Sequence, residues 1–180
     1  MLTQLRQHGL LLFRIHLPSA HHLPILETRT QHWSDEAACA ESARALARHA
    51  DLADAYIELH GPLGAGKTTF VRHLLHALGV EGRVKSPTYA VMEPYELTRD
   101  GAPFAIWHFD FYRFNDPQEW EDAGFRDLFA SRGLKLAEWP ERAASVLPAA
   151  DLRIHIEPGE GDVRSARFEA HTHRGVGLLA

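Results

Sequence analysis

The sequence has little of what would mark a secreted, membrane or zinc-binding protein. Its 180 residues include one cysteine, Cys39, so the chain can form neither an internal disulfide nor a cysteine-built zinc site. No apolar run approaches the ~18 residues that a membrane-spanning helix needs, since Arg14 ends the apolar run of residues 9–13. We therefore expect a protein of a reducing compartment, the cytoplasm, that makes no membrane contact.

Basic charge is also in short supply. The net charge is −5 at pH 7, which argues against broad nucleic-acid binding by this chain alone but leaves room for a local basic patch. The 13 histidines are scattered without a repeated ligand spacing, so we interpret them as solvated or structural residues. A hydrophobic content of 45% and a charged content of 24% are typical of one globular domain.

A glycine-rich loop is the most informative feature that the sequence does have. Residues 61–68 read GPLGAGKT and fit the phosphate-loop pattern G-x-x-x-x-G-K-[ST]. Residues 55–60 alternate like a short strand, and residues 69–78 have helical spacing. In this strand–loop–helix arrangement, backbone N–H groups and the helix dipole surround a phosphate. Lys67 would neutralise the outer phosphates, and the Thr68 hydroxyl would bind Mg²⁺.

Two later strands are each predicted to end in an acid. Residues 104–109 lead to Asp110, and residues 134–137 lead to Glu138. Ligands of open α/β sheets bind at the carboxyl ends of the strands, and Mg²⁺ beside a phosphate loop needs a carboxylate. Each acid could instead belong to an ordinary strand-end turn, and spacing alone does not rank Asp110 against Glu138 as the metal-side group.

The segment after the first helix, residues 80–89, reads VEGRVKSPTY and is predicted to be a loop. Ser86 precedes a proline, which favours an extended backbone there. In phosphate-loop proteins such a segment often senses the terminal phosphate through a hydroxyl group, and Thr88 is the candidate. A plain Ser-Pro turn explains the pattern equally well.

The rest of the chain predicts a single α/β domain. Ser34 is predicted to cap a helix over residues 37–50, and Asp116 with Pro117 begins another. Two hairpins are predicted, one turning at residues 99–101 and one joining residues 152–156 to residues 165–170. Organised structure is predicted to begin near Ser34. Residues 1–30 are therefore interpreted as a poorly ordered N-terminal extension and residues 31–180 as the domain.

The ordered motifs resemble the TsaE (YjeE) family, which consists of small bacterial ATPases required for making threonylcarbamoyladenosine in tRNA. The resemblance rests on GPLGAGKTTF, VKSPTY, WHFDFYRFNDPQEWEDAGF, LAEWPER and VLPAADLRI, and it runs from about Trp33 to about Glu169. It implies a P-loop NTPase-like, three-layer α/β fold with a mixed, mainly parallel sheet flanked by helices. The modified adenosine would lie next to the anticodon in tRNAs that read codons beginning with A.

The resemblance also implies the ligands, ATP and Mg²⁺. Thr68 and Glu138 would hold Mg²⁺, which ranks the two acids, and Asp110 would be a second essential acid near the γ-phosphate. Lys67 completes the implied catalytic set, together with Thr88 in a switch-like loop. The implied nucleotide contacts are Glu36, Leu63, Gly64, Ala65, Gly66, Lys67, Thr68, Thr69 and Arg164. His108 and Trp139 match motif positions and are assigned packing or positioning roles.

Two of these residues have other interpretations. From the pattern alone, Arg164 is better explained as a solvated charge near a hairpin turn. Pro62 departs from the family, which usually has a small polar or acidic residue there; proline fixes φ and removes one N–H. Because this position lies on the far side of the loop from the phosphates, we expect function to persist.

The implied partners are TsaD and TsaB, a threonylcarbamoyl-transferase pair, with tRNA contacted indirectly through the complex. Hydrolysis would drive or reset that complex, and it would be slow without the partners because no obvious arginine finger lies in the switch region. A small-molecule kinase would need an arginine-bearing lid, and Arg126, Arg132 and Arg142 are too dispersed to form one. A GTPase is disfavoured because D-x-x-G and N-K-x-D are missing. A binding module that does not hydrolyse ATP would keep Lys67 without needing either acid.

Overall fold

The fold is described by a computed structural model over residues 23–87 and 90–180. The strands are β1 (Glu27–Trp33), β2 (Tyr56–His60), β3 (Met92–Arg99), β4 (Ala102–Asp110), β5 (Leu134–Glu138), β6 (Leu152–Pro158) and β7 (Arg164–Ala170). The helices are α1 (Glu36–Ala47), α2 (Lys67–Ala77), α3 (Pro117–Asp122), α4 (Phe125–Ala130) and α5 (His173–Gly177), with 3₁₀ turns at Ala50–Asp54 and Pro140–Ala143. None of the helices in these two stretches has the length and hydrophobicity to cross a membrane.

All seven strands form one mixed sheet in the order β1-β7-β6-β2-β5-β4-β3. The central strands β6, β2, β5 and β4 are parallel, and the outer pairings are antiparallel. The predicted fold class is therefore confirmed. Parallel neighbours end at the same edge of a sheet, so Asp110 on β4 lies beside Glu138 on β5, and Glu138 lies beside Leu59 on β2.

Helices cover both faces of the sheet and make three layers. On one face α1 and α2 pack over the centre, and Trp33 stacks on Phe70 with ring centroids 5.5 Å apart. On the other face α3 and α4 cover β4 through buried aromatic rings. This second cluster includes Phe109, Phe111, Phe114, Trp120 and Phe125. The end of β4, which carries Asp110, is thus fixed by packing on both sides.

Strand β2 carries one buried acid close to the glycine-rich loop. The Glu58 carboxylate accepts hydrogen bonds from the Tyr56 hydroxyl at 3.1 Å and from Arg153 Nε at 2.8 Å, and it lies 3.0 Å from His60 Nε2. Burial acts to raise the pKa of Glu58, but His60 and Arg153 outweigh it and hold that pKa below its usual value. The network fixes His60, the residue immediately before Gly61.

The predicted boundary between extension and domain is wrong for residues 27–30. They belong to β1, which pairs antiparallel with β7 from Glu27 opposite Ala170 to Trp33 opposite Arg164. Only Trp33 in this strand is buried. Backbone hydrogen bonds at the sheet edge hold the strand, so its side chains show no apolar alternation. Residues 1–22 of the predicted extension lie outside the described residues.

The turn and cap chemistry is largely as predicted. Asp100 and Gly101 have φ of 52° and 78°, the left-handed pair that a two-residue hairpin turn favours. Asp116 caps α3 through a 2.9 Å hydrogen bond from the Gln118 N–H. The predicted cap of α1 was wrong by one residue. Asp35, not Ser34, caps this helix, because its carboxylate accepts a hydrogen bond from the Ala38 N–H at 2.9 Å.

Candidate nucleotide site

The glycine-rich loop joins β2 to α2 with a backbone that requires glycine. Gly61, Gly64 and Gly66 have φ of 143°, 78° and 107°, values that residues other than glycine rarely adopt. Gly61 carries a second constraint, since a Cβ built there would lie 2.3 Å from the Ile156 carbonyl oxygen. Among the described residues, no non-neighbouring atom lies within 4 Å of a Cβ built at Gly64 or Gly66. The first glycine therefore locks the loop against β6, and the other two give it its curvature.

Lys67 is the first residue of α2, and its ammonium points into the loop. Its Nζ donates to the Gly61 carbonyl at 2.5 Å and to the Pro62 carbonyl at 3.0 Å, and it lies 3.9 Å from the centroid of the Trp139 ring. Burial lowers the pKa of Lys67, and nearby carboxylates oppose that shift; they are Glu138, Glu141 and Asp110. The cation is thus held by neutral carbonyls that phosphate oxygens can replace.

Thr68 and Glu138, the predicted metal-side pair, are in direct contact. The Thr68 hydroxyl donates to Glu138 Oε2 at 2.8 Å, although the two residues lie 70 positions apart. Glu138 is 2% exposed, and its Oε1 lies 2.9 Å from His108 Nε2. The hydroxyl proton points to Glu138, so the oxygen lone pairs of Thr68 remain available for a cation.

Asp110 lies next to this pair at the end of β4. Its carboxylate accepts hydrogen bonds from the Ser86 hydroxyl and, at 2.9 Å, from the backbone N–H of Tyr112. Asp110 and Glu138 are both buried and are paired in the register of β4 and β5, and carboxylate oxygens are ligands that a hard divalent cation prefers. The arrangement therefore suits a hard cation beside a phosphate group.

Two cavities meet at the loop. The first, about 340 Å³, is lined by Leu63, Gly64, Ala65, Gly66, Lys67, Thr68, Thr69, Ser86, Asp110, Tyr112, Glu138 and Trp139. The second, about 240 Å³, is lined by Trp33, Asp35, Glu36, Cys39, Gly64, Ala65, Gly66, Thr69, Asp162 and Arg164. The two cavities are neighbours because they share residues of the loop. The first is rich in phosphate-binding and acidic groups, and the second is lined by the Trp33 ring.

The second cavity is lined by Glu36 and Arg164, the two predicted contacts that lie far from the loop in sequence. Arg164 Nε donates to the Ala65 carbonyl at 3.2 Å, which ties the start of β7 to the loop. The Glu36 carboxylate lies 3.0 Å from His73 Nε2 of α2. Burial, followed by the Glu36 charge, raises the pKa of Cys39 to about 12, so this thiol stays protonated at neutral pH.

Some features of the site were missed by the sequence-based predictions or fall outside what is described. Thr88, the predicted sensing residue, lies outside the described residues. Among the described residues, the hydroxyl that reaches Asp110 belongs to Ser86, and a serine in the same motif was a signal that could have identified it. Trp139 has a φ of 56°, a left-handed conformation that is costly for a bulky residue and follows directly after Glu138.

Replacing Pro62 with serine should leave ATP affinity within about threefold of wild type. Surface substitutions away from structurally critical contacts usually change the free energy by no more than ~0.5 kcal/mol. The loop uses the carbonyl of residue 62, which accepts from Lys67 Nζ and the Ala65 N–H, while the exposed proline ring lines neither cavity. Titration with a fluorescent ATP analogue measures the effect. A tenfold change would show that the fixed φ of proline shapes the loop.

Comparison with known proteins gives a consistent result. The family model described as threonylcarbamoyl adenosine biosynthesis protein TsaE matches residues 33–166. The TsaE protein of Haemophilus influenzae is 40% identical over 124 residues, 69% of this chain and 75% of that protein. The Bacillus subtilis TsaE is 34% identical over 149 residues, 83% of this chain and 88% of that protein. The crystal structure of Bacillus subtilis YdiB aligns with a TM-score of 0.67 and 26% identity, covering 85% of this chain and 92% of that one.

Proposed function

This chain belongs to the TsaE family of threonylcarbamoyladenosine biosynthesis proteins, and from that membership we propose that it is a Mg²⁺-dependent ATPase of tRNA modification. One observation carries the proposal: the Thr68 hydroxyl hydrogen-bonds to Glu138, beside Asp110 and at the mouth of a loop that contains Lys67. These groups can bind a nucleotide phosphate and a divalent cation, and they include an acid that can orient a water molecule.

The residues fit Mg²⁺-ATP. The loop from Leu63 to Thr69 would bind the phosphates through its N–H groups, and the cavity at Glu36 and Arg164 would receive the nucleoside. Thr68 and Glu138 would hold Mg²⁺ through oxygen atoms, the ligands this cation prefers. When bound, Mg²⁺ neutralises phosphate charge and polarises the phosphoryl oxygens.

The other roles in ATP hydrolysis would belong to side chains of this protein. Lys67 would exchange the Gly61 and Pro62 carbonyls for phosphate oxygens and stabilise the charge that develops during transfer. Asp110 would orient the attacking water or the metal's water shell. Because Ser86 donates to Asp110, the segment after α2 reaches the reacting end of the site, and Thr88 in that segment is our candidate sensor.

We further propose that the TsaD–TsaB pair is the partner, in the cytoplasm, and that tRNA is contacted through it. Hydrolysis would reset the pair between rounds of modification. The purified chain should bind the pair in the presence of ATP and Mg²⁺ and should not bind it with ADP or without nucleotide; analytical size exclusion measures this. Equal binding under all three conditions would contradict nucleotide-gated assembly.

Thr68→Ala should reduce by about tenfold or more the gain in ATP affinity that Mg²⁺ provides, by analogy with losses at groups that support a metal. The substitution removes both a metal ligand and the hydrogen bond to Glu138. Affinity is measured with a non-hydrolysable fluorescent ATP analogue, with Mg²⁺ and with EDTA. Thr30→Ala, on the exposed edge strand, is the control. An unchanged Mg²⁺ effect in Thr68→Ala would exclude the assigned role.

A further inference from the structure

His108 is a fully buried histidine on β4, two residues before Asp110, with 0% of its surface exposed. It lies opposite Leu136 of β5 in the parallel register, and Ile106, which points to the same face of β4, is also fully buried. A leucine or isoleucine would suit these surroundings better than an imidazole, because a buried polar ring must find hydrogen-bond partners. The position therefore needs a property of histidine that packing does not supply.

That property is a hydrogen bond to the metal-side acid. His108 Nε2 lies 2.9 Å from Glu138 Oε1, and an ionised carboxylate can only accept, so Nε2–H is the donor. The other ring nitrogen, Nδ1, has no hydrogen-bond partner among the described residues although it is buried. The ring thus leaves one polar atom unsatisfied while it places the other against Glu138.

The consequence lies in the orientation of the carboxylate. Glu138 is held at both oxygens, with Oε1 receiving the His108 donor and Oε2 receiving the Thr68 hydroxyl at 2.8 Å. Without the first contact the carboxylate could turn about its terminal torsion and withdraw Oε2 from Thr68. Groups that orient a metal ligand in this way commonly determine much of the metal affinity.

We propose that His108 is a positioning residue, whose Nε2–H fixes the Glu138 carboxylate so that Oε2 and the Thr68 hydroxyl together present the Mg²⁺ site. The inference rests on the Mg²⁺–nucleotide site proposed above. It concerns affinity for the metal, so it can be tested without turnover.

The test compares three substitutions at one position. His108→Leu removes the donor and keeps an apolar volume. His108→Gln places an amide N–H at about the reach of Nε2, whereas His108→Asn places one nearer to Nδ1. For each variant the dissociation constant of a non-hydrolysable fluorescent ATP analogue is measured in EDTA and in a Mg²⁺ titration. The ratio of the two constants is the Mg²⁺ gain.

We expect the Mg²⁺ gain to fall about 10- to 100-fold in His108→Leu, the range seen for outer partners of metal ligands. His108→Gln should restore it to within about threefold and His108→Asn should not, while affinity in EDTA stays unchanged in all three. In a Glu138→Gln background, His108→Leu should cause no further loss. If the leucine variant does not fold, the comparison of glutamine with asparagine carries the test.

His171→Leu is the matched control. His171 is also buried, 6% exposed, with an Nε2 that lacks a hydrogen-bond partner among the described residues, but it lies at the end of β7, away from both cavities. It should lose stability and keep the wild-type Mg²⁺ gain. A full gain in His108→Leu, or equal losses in the glutamine and asparagine variants, would overturn the inference alone. A wild type without any Mg²⁺ gain would overturn the proposed function as well.

Discussion

Replacing Lys67 with alanine should lower the rate of ATP hydrolysis by about 10²-fold or more, the usual cost of removing one preorganised group that stabilises developing charge. The effect is large because the ammonium is buried inside the loop, where water screens charge poorly. It should also weaken ATP binding, since Glu138 and Asp110 would then face the phosphates without a compensating side-chain cation in the loop. Phosphate release under saturating ATP and Mg²⁺ measures the rate, and nucleotide titration measures the affinity.

Lys135→Ala is the control for this substitution. Lys135 is another buried lysine on the sheet, its Nζ lies 5.2 Å from the Trp107 ring centroid, and burial lowers its pKa as it does at Lys67. It lines neither cavity at the loop. Its loss should therefore reduce stability and leave turnover by the folded protein intact. Wild-type turnover in Lys67→Ala, or the same loss in both variants, would remove Lys67 from the mechanism.

Replacing Gly61 with alanine should destabilise the protein by about 3 kcal/mol, the sum of a left-handed backbone penalty of about 1–2 kcal/mol and an overpacking cost of about 1–3 kcal/mol. The added Cβ would lie 2.3 Å from the Ile156 carbonyl oxygen. Backbone on a central parallel strand cannot rotate away as a side chain can. Chemical denaturation measures the loss, which corresponds to about 6–12 °C in melting temperature.

Gly64→Ala separates the two causes. Gly64 also has a positive φ, of 78°, but a Cβ built there meets no atom within 4 Å in the part of the chain that the structure describes. We expect only the backbone penalty, about 1–2 kcal/mol. Equal destabilisation by the two substitutions would show that contact with β6 does not lock the loop.

The parts of the fold that were predicted from sequence are those whose cause is local. The glycine loop, the Asp100–Gly101 turn and the Asp116 cap each depend on a few adjacent residues, and each adopts the expected conformation. Strand β1 was missed because its pairing with β7 uses the backbone and leaves only Trp33 buried. Edge strands of this kind have no side-chain periodicity to detect.

The candidate site shows the same division. Local motifs predicted Lys67, Thr68 and the two acids, but which acid meets Thr68 depends on the register of β5 beside β2 and β4, which spacing cannot provide. Thr68 donates a hydrogen bond to Glu138, and Glu138 as the metal-side acid stays a prediction from the family resemblance. The contact of Ser86 with Asp110 likewise depends on how the loop after α2 crosses the strand ends.

We propose that this phosphate loop hydrolyses ATP for the TsaD–TsaB pair. The most direct test is the rate of phosphate release from ATP and Mg²⁺ by the full chain, with and without the purified pair, using Lys67→Ala and Glu138→Ala as references. We predict slow release by the chain alone, faster release with the pair, and loss of both rates in each variant. Tight ATP binding without release under either condition, or transfer of the phosphate to a small acceptor, would contradict the claim.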